Sequence, residues 1–167
     1  MGALKTKFLR KKADLSVQRE VWLKNPSQIK KILLISNSDS KSLKRKVEEV
    51  FASAGVHHLF HREIKEDTTV GFYYSVHKAD FGLTGGLKNE KLQNLTKMDF
   101  DLLIDLSQES ALLPYFVNQS KSTLKVGGLN SKRVLAYDVL VDFMGNDSDK
   151  INNIYNHLNL LKQDAKI

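Results

Sequence analysis

Three kinds of side chain in this 167-residue sequence have the chemistry to build a site. The first is imidazole: His57, His58 and His61 lie close together, with His77 further on. On a strand alternate side chains share a face, so His57, His61 and Glu63 line one side and His58 the other. A metal centre needs a third firm ligand and outer partners that fix the rings, and this spacing marks neither. A partly exposed polar strand accounts for the cluster. The second is carboxylate: Asp101, Asp105, Asp138 and Asp142 sit within or beside apolar runs, and paired carboxylates can do acid–base work. Asp101 and Asp105 share strand parity but stand roughly 13 Å apart along a strand, too far to act on one bond. Asp105 and Asp142 converge only if their strands are neighbours. The third is a cradle of backbone N–H groups: Ser36, Asn37, Ser38 and Asp39 lead into a helix whose first turn could hold a phosphate. That loop has no glycine, and neither G-x-G-x-x-G nor a Walker pattern occurs in the sequence. Gly85-Gly86 and Gly127-Gly128 are bare pairs without a following Lys-Ser or Lys-Thr, and read as turns needing positive φ. There is no cysteine, which removes thiolate catalysis, disulfides and Cys-ligated zinc. No residue is assigned as catalytic or metal-binding, and no cofactor is expected.

The elements that would position these groups alternate. Lys31–Ser36 is a continuous apolar run, as in a strand buried on both faces. Ser40 or Ser42 caps a helix whose face is Leu43, Val47, Val50, Phe51 and Ala54, with Gly55 as its stop. Val56 to about Ile64 and Phe72–Val76 read as strands, the latter leading into the glycine-bearing loop Phe81–Gly86 and a short helix around Glu90–Leu95. Phe100–Leu106 is the clearest later strand. A helix over Gln108–Gln119 has Pro114 in its first turns. Thr123–Val126 and Val134–Phe143 are further strands, and a last helix carries Ile151, Ile154, Leu158 and Leu161, capped by Asp147 or Ser148. The expected fold is α/β: a single Rossmann-like domain over residues 28–167, an open, mostly parallel sheet with helices on both faces. A basic N-terminal arm, residues 1–27, precedes it as a helix from Leu4 to about Val21 and a linker at Asn25-Pro26-Ser27. Ligands of such folds bind at the strand carboxyl ends, where Asn37, Asp39, Asp105, Ser107 and Asp142 fall.

The chain's net charge is +7. Residues 1–31 hold nine basic side chains, Lys5, Lys7, Arg10, Lys11, Lys12, Arg19, Lys24, Lys30 and Lys31, against Asp14 and Glu20, which is already +7. The other 17 basic and 17 acidic residues cancel. A basic tail on a neutral body points to a polyanionic partner. No apolar run approaches the ~20 residues of a membrane span, and no signal-peptide core opens the sequence, so the expected address is cytoplasmic without integral membrane association.

Phe100–Leu106, the following Ala111-Leu112-Leu113 and the step Lys125-Val126-Gly127 resemble the N-terminal half of heptosyltransferase-type GT-B glycosyltransferases. That resemblance implies a Rossmann-like ancestry over about a quarter of the chain. The Gly-rich turn after the first strand, which such enzymes carry, is missing. Val76–Phe81, Phe100–Leu106 and Tyr137–Asp142 look like an uncharacterised family of small bacterial proteins of unknown function, which implies a cytoplasmic domain with no assigned chemistry. The expected function is a non-catalytic, RNA-associated protein bound to the ribosome, the nine basic side chains contacting ribosomal RNA near ribosomal proteins. Two alternatives stand beside it: a small nucleotide- or sugar-nucleotide-handling enzyme using Asp39, Asp105 and Asp142, and a peripheral membrane protein whose arm lies on anionic lipid.

Overall fold

The computed structural model describes residues 21–52, 54–63, 71–107, 110–131 and 136–164. The expected arm helix, Leu4 to about Val21, lies almost wholly outside them. Six strands form one sheet: β1 (Lys31–Ser36), β2 (Gly55–His61), β3 (Tyr73–Val76), β4 (Leu102–Asp105), β5 (Leu124–Gly128) and β6 (Val139–Val141). Their order is β3-β2-β1-β4-β5-β6 and every neighbouring pair is parallel. The helices are α1 (Lys41–Val50), α2 (Glu90–Lys97), α3 (Leu113–Gln119) and α4 (Asp147–Asp164). None of the described helices is long and apolar enough to cross a membrane.

Period-2 alternation along the central strands sorts the core into two layers. Leu33, Ile35, Leu59 and Leu103 pack with Leu92 and Leu95 of α2 and Leu113, Phe116 and Val117 of α3. Ile32, Leu34, Val56, Leu102, Ile104 and Val126 pack with Leu43 and Val47 of α1 and Ile151, Ile154 and Leu158 of α4. β1 and β4 are apolar on both sides because each is covered on both sides.

Several boundaries differ from expectation for local reasons. Ser40 caps α1, its hydroxyl accepting from the Leu43 N–H at 3.2 Å. The helix then ends with Phe51 as C-cap, and Gly55 opens β2 rather than stopping the helix. α4 is capped by Asn146, not by Asp147 or Ser148. Asn146 Oδ1 accepts from the Asp149 N–H at 3.0 Å while Asp149 Oδ2 accepts from the Asn146 N–H at 3.1 Å, a reciprocal capping box. β6 is only three residues long, and residues 132–135 lie outside the described part.

The Gly127-Gly128 pair is not a turn. Both residues are in β5, and neither has positive φ. A Cβ on Gly127 would lie 2.5 Å from the Tyr137 ring, and one on Gly128 would lie 2.8 Å from the Phe143 ring. The glycines let two aromatic rings approach the strand backbone closely. Gly85, with φ +73°, does serve the turn expected of it, in a loop closed by the Phe81–Leu87 bridge.

Candidate functional site

Six of the nine basic residues, Lys5, Lys7, Arg10, Lys11, Lys12 and Arg19, lie outside the described residues; Lys24, Lys30 and Lys31 lie within them. The segment reaches the body through a 3-10 turn, Pro26–Gln28, whose Asn25 cap accepts from the Ser27 N–H at 3.2 Å. Ile29, buried in the α1/α4 layer, fixes the chain as it enters β1. Asp101 receives it. Because β1 and β4 are parallel neighbours with Ile32 opposite Leu102, Asp101 sits beside the start of β1. Its carboxylate accepts from the Lys24 ammonium, from the Lys30 N–H at 2.7 Å and from the Lys31 N–H at 3.1 Å. Burial alone would raise this carboxyl's pKa, but the Lys24 ammonium and the two backbone donors outweigh it and hold the group below its ordinary value. Asp101 is thus a clasp for the basic segment at the amino edge of the sheet, not a member of an acid–base pair. Lys30 is exposed, and the Lys31 ammonium lies 5.6 Å from the Phe100 ring centroid.

Asp101→Ala would strand two backbone N–H groups and release Lys24. The expected cost is about 2 kcal/mol of stability, read from urea unfolding at neutral pH. The cost should shrink toward strongly acid pH, since a depressed carboxyl pKa stabilises above the ordinary carboxylate range and ceases to do so once the folded group protonates.

The opposite, carboxyl edge holds the other candidates. Between β1 and β4 the direction of strand progression reverses, with α1 on one face after β1 and α3 on the other after β4. This topological switch point is where open α/β sheets place their ligands. The residues there are extensively engaged with one another. Ser36 Oγ donates to the Ser38 carbonyl at 2.7 Å and stands 2.7 Å from His58 Nε2. With the hydroxyl proton committed to Ser38, the imidazole must be the donor to Ser36. Its buried Nδ1 then has no hydrogen-bond partner among the described residues. Asp39 faces Arg62 at 3.4 Å. Asp105, 2% exposed, accepts from the Ser107 N–H at 2.8 Å and the Ser107 hydroxyl at 2.5 Å. It also accepts from the Tyr137 hydroxyl, which reaches it across Gly127. Asp105 and Asp142 do not share adjacent strands, because β5 stands between β4 and β6. Asp138 accepts from the Lys125 N–H at 2.7 Å, at the far end of β5. Tyr137 was not singled out by spacing; the signal for it was the Gly-Gly pair inside a strand, which implies a close approach.

The histidine strand is buried rather than partly exposed. His57 is ringed by Phe72, Tyr74 and Phe100, with centroids at 4.5, 5.8 and 5.3 Å, and its Nδ1 is 3.2 Å from the Tyr74 hydroxyl. Burial lowers its pKa to about 4, helped by the charges of Lys31 and Lys44. His58, on the other face, is also lowered to about 4, chiefly by burial; Asp39 opposes the shift and Lys44 adds to it. His61 is lowered by burial too, with Glu63 pulling the other way. His77 instead caps the 3-10 turn Lys78–Asp80, its Nδ1 accepting from the Ala79 N–H at 3.1 Å. Among the described residues no three His, Cys, Asp or Glu side chains are grouped to hold a metal ion.

An all-parallel six-stranded sheet in this order, with helices on both faces and one switch point, defines a Rossmann-like α/β domain. The chain belongs to the DUF6913 family, a family of unknown function, whose model matches residues 5–161. No curated protein and no solved structure matches it.

Proposed function

We propose that the protein is a non-catalytic, RNA-associated protein that docks on ribosomal RNA through its basic N-terminal segment. The observation that carries this reading is the segregation of charge: +7 on residues 1–31, and no net charge on the other 136 residues. Lys and Arg on one segment suit a phosphate backbone, which they can follow without reading bases. The clasp at Asp101 supports the reading, since it fixes where the segment leaves the body. Sedimentation of native lysate on sucrose gradients tests it. The protein should travel with a ribosomal subunit in low salt and leave it in high salt; recovery only at the top of the low-salt gradient would count against the proposal.

A second reading, a small nucleotide- or sugar-nucleotide-handling domain related to GT-B transferases, is favoured by the strand order, which creates a switch point between Asp39 and Asp105. It is the weaker of the two because Asp105 and Ser36 spend hydrogen-bonding capacity on Tyr137, Ser107, Ser38 and His58. Saturable heat on titration with a nucleotide, lost in Asp105→Asn, would favour it.

A further inference from the structure

We propose that Trp22 is a stacking platform for an unpaired nucleobase, so that the RNA docked by the basic segment presents a single-stranded nucleotide at the amino edge of the sheet. This deepens the reading above and rests on it. Trp22 is the sole tryptophan of the chain, and 54% of its surface is open to solvent. An indole exposed in this way presents a flat apolar face beside a polar N–H, a side chain suited to a contact with one dry and one wet side. The residue is also oriented. The Lys24 ammonium lies 5.0 Å from the ring centroid, and that ammonium is itself held by Asp101. Asp101, Lys24 and Trp22 thus form a relay from the rigid sheet to the indole, which limits the ring's freedom before any ligand arrives. Exposed Lys30 shares this edge of the body, six residues beyond Lys24. With Lys24 held by Asp101, Lys30 is the exposed cation of this edge offered to phosphate, and an aromatic face near such a cation suits single-stranded nucleic acid: the cation takes a phosphate and the ring takes a base, whose π-face is available whatever its identity. Duplex RNA, with its bases stacked inside, would use the cations alone.

Because there is one tryptophan, its fluorescence reports on this site directly. The test uses the full chain at low salt with two probes, a labelled single-stranded oligoadenylate and inorganic polyphosphate, which carries charge without bases. Binding is followed by anisotropy for the RNA and by competition for the polyphosphate. Oligoadenylate should quench Trp22 in step with binding, while polyphosphate should bind without comparable quenching. Trp22→Ala should weaken oligoadenylate binding by about 5- to 150-fold and leave polyphosphate binding unchanged, and Trp22→Phe should restore most of the loss. Since the side chain is exposed, an unaltered melting temperature will verify that both variants fold. Wild-type affinity of Trp22→Ala for oligoadenylate, or equal quenching by both probes, overturns the stacking site while sparing the docking role. Failure of both probes to bind the wild-type chain overturns the stacking site and the docking role together.

Discussion

RNA affinity should fall by about 10³- to 10⁴-fold between 50 and 200 mM salt if six to eight side chains of the basic segment meet phosphates of a helical RNA. Nine basic residues lie in 1–31, and Lys24 is committed to Asp101, so the sequence holds eight others for that task. Each neutralised phosphate releases condensed counterions, and the entropy of that release is what added salt removes. Replacing Lys11 and Lys12 by alanine should reduce the logarithmic salt slope by roughly two and weaken binding evenly across sequences. Filter binding over four salt concentrations gives both quantities. A flat dependence would mean that the positive segment is not the docking element.

The second large effect is acid destabilisation centred on β2. His57 and His58 each have a folded pKa of about 4 against an ordinary 6.5. Above pH 6.5 both are neutral whether the chain is folded or not, and they add no pH dependence. As pH falls from 6.5 to 4 the unfolded chain takes up protons that the folded one refuses, so stability drops; below about 4 the folded imidazoles protonate too and the loss levels off. At 1.36 kcal/mol per pKa unit the full loss is roughly 3 kcal/mol for each ring, comparable in sum to the whole stability of many domains. The cause is burial, and among the described residues neither imidazole has a carboxylate hydrogen-bond partner and the buried His58 Nδ1 has no partner. Urea midpoints measured from pH 7.5 to 4 should therefore be level and then fall. His57→Phe, which preserves an aromatic ring among Phe72, Tyr74 and Phe100, should remove about half of the slope. A midpoint constant down to pH 4.5 would show that these rings are not kept neutral by folding.

How much of this was readable beforehand depends on range along the chain. β1 and β4 announce themselves because a strand covered on both faces must be apolar throughout. The alternation of strands and helices likewise carries the α/β class. The failures have a common origin in contacts distant in sequence. β2 looks half-exposed because it bears three histidines, and only the rings brought over it by β3 and Phe100 make its burial tolerable. Gly127 and Gly128 look like a turn until Tyr137 and Phe143 are seen lying on them. Spacing rules Asp101 out of a pair with Asp105 but gives it no role, and only the β1–β4 register, which sets it beside Lys30 and Lys31, supplies one. At the carboxyl edge, composition correctly located the polar residues, but could not reveal that Asp105 is already satisfied by Ser107 and Tyr137. The Asn146 cap was missed for a smaller reason: three successive residues, Asn146, Asp147 and Ser148, are all good cap types, and only the reciprocal bond with Asp149 decides among them.

The clasp at Asp101 and the switch point between β1 and β4 occupy opposite ends of the same pair of strands. β1 is six residues long, so roughly 20 Å of rigid sheet separates them. A molecule moored at one pole holds the other about that far from its anchorage. Under the proposed docking the domain would have the geometry of a bracket, fastened at its amino edge with the switch point at the far end of the same two strands.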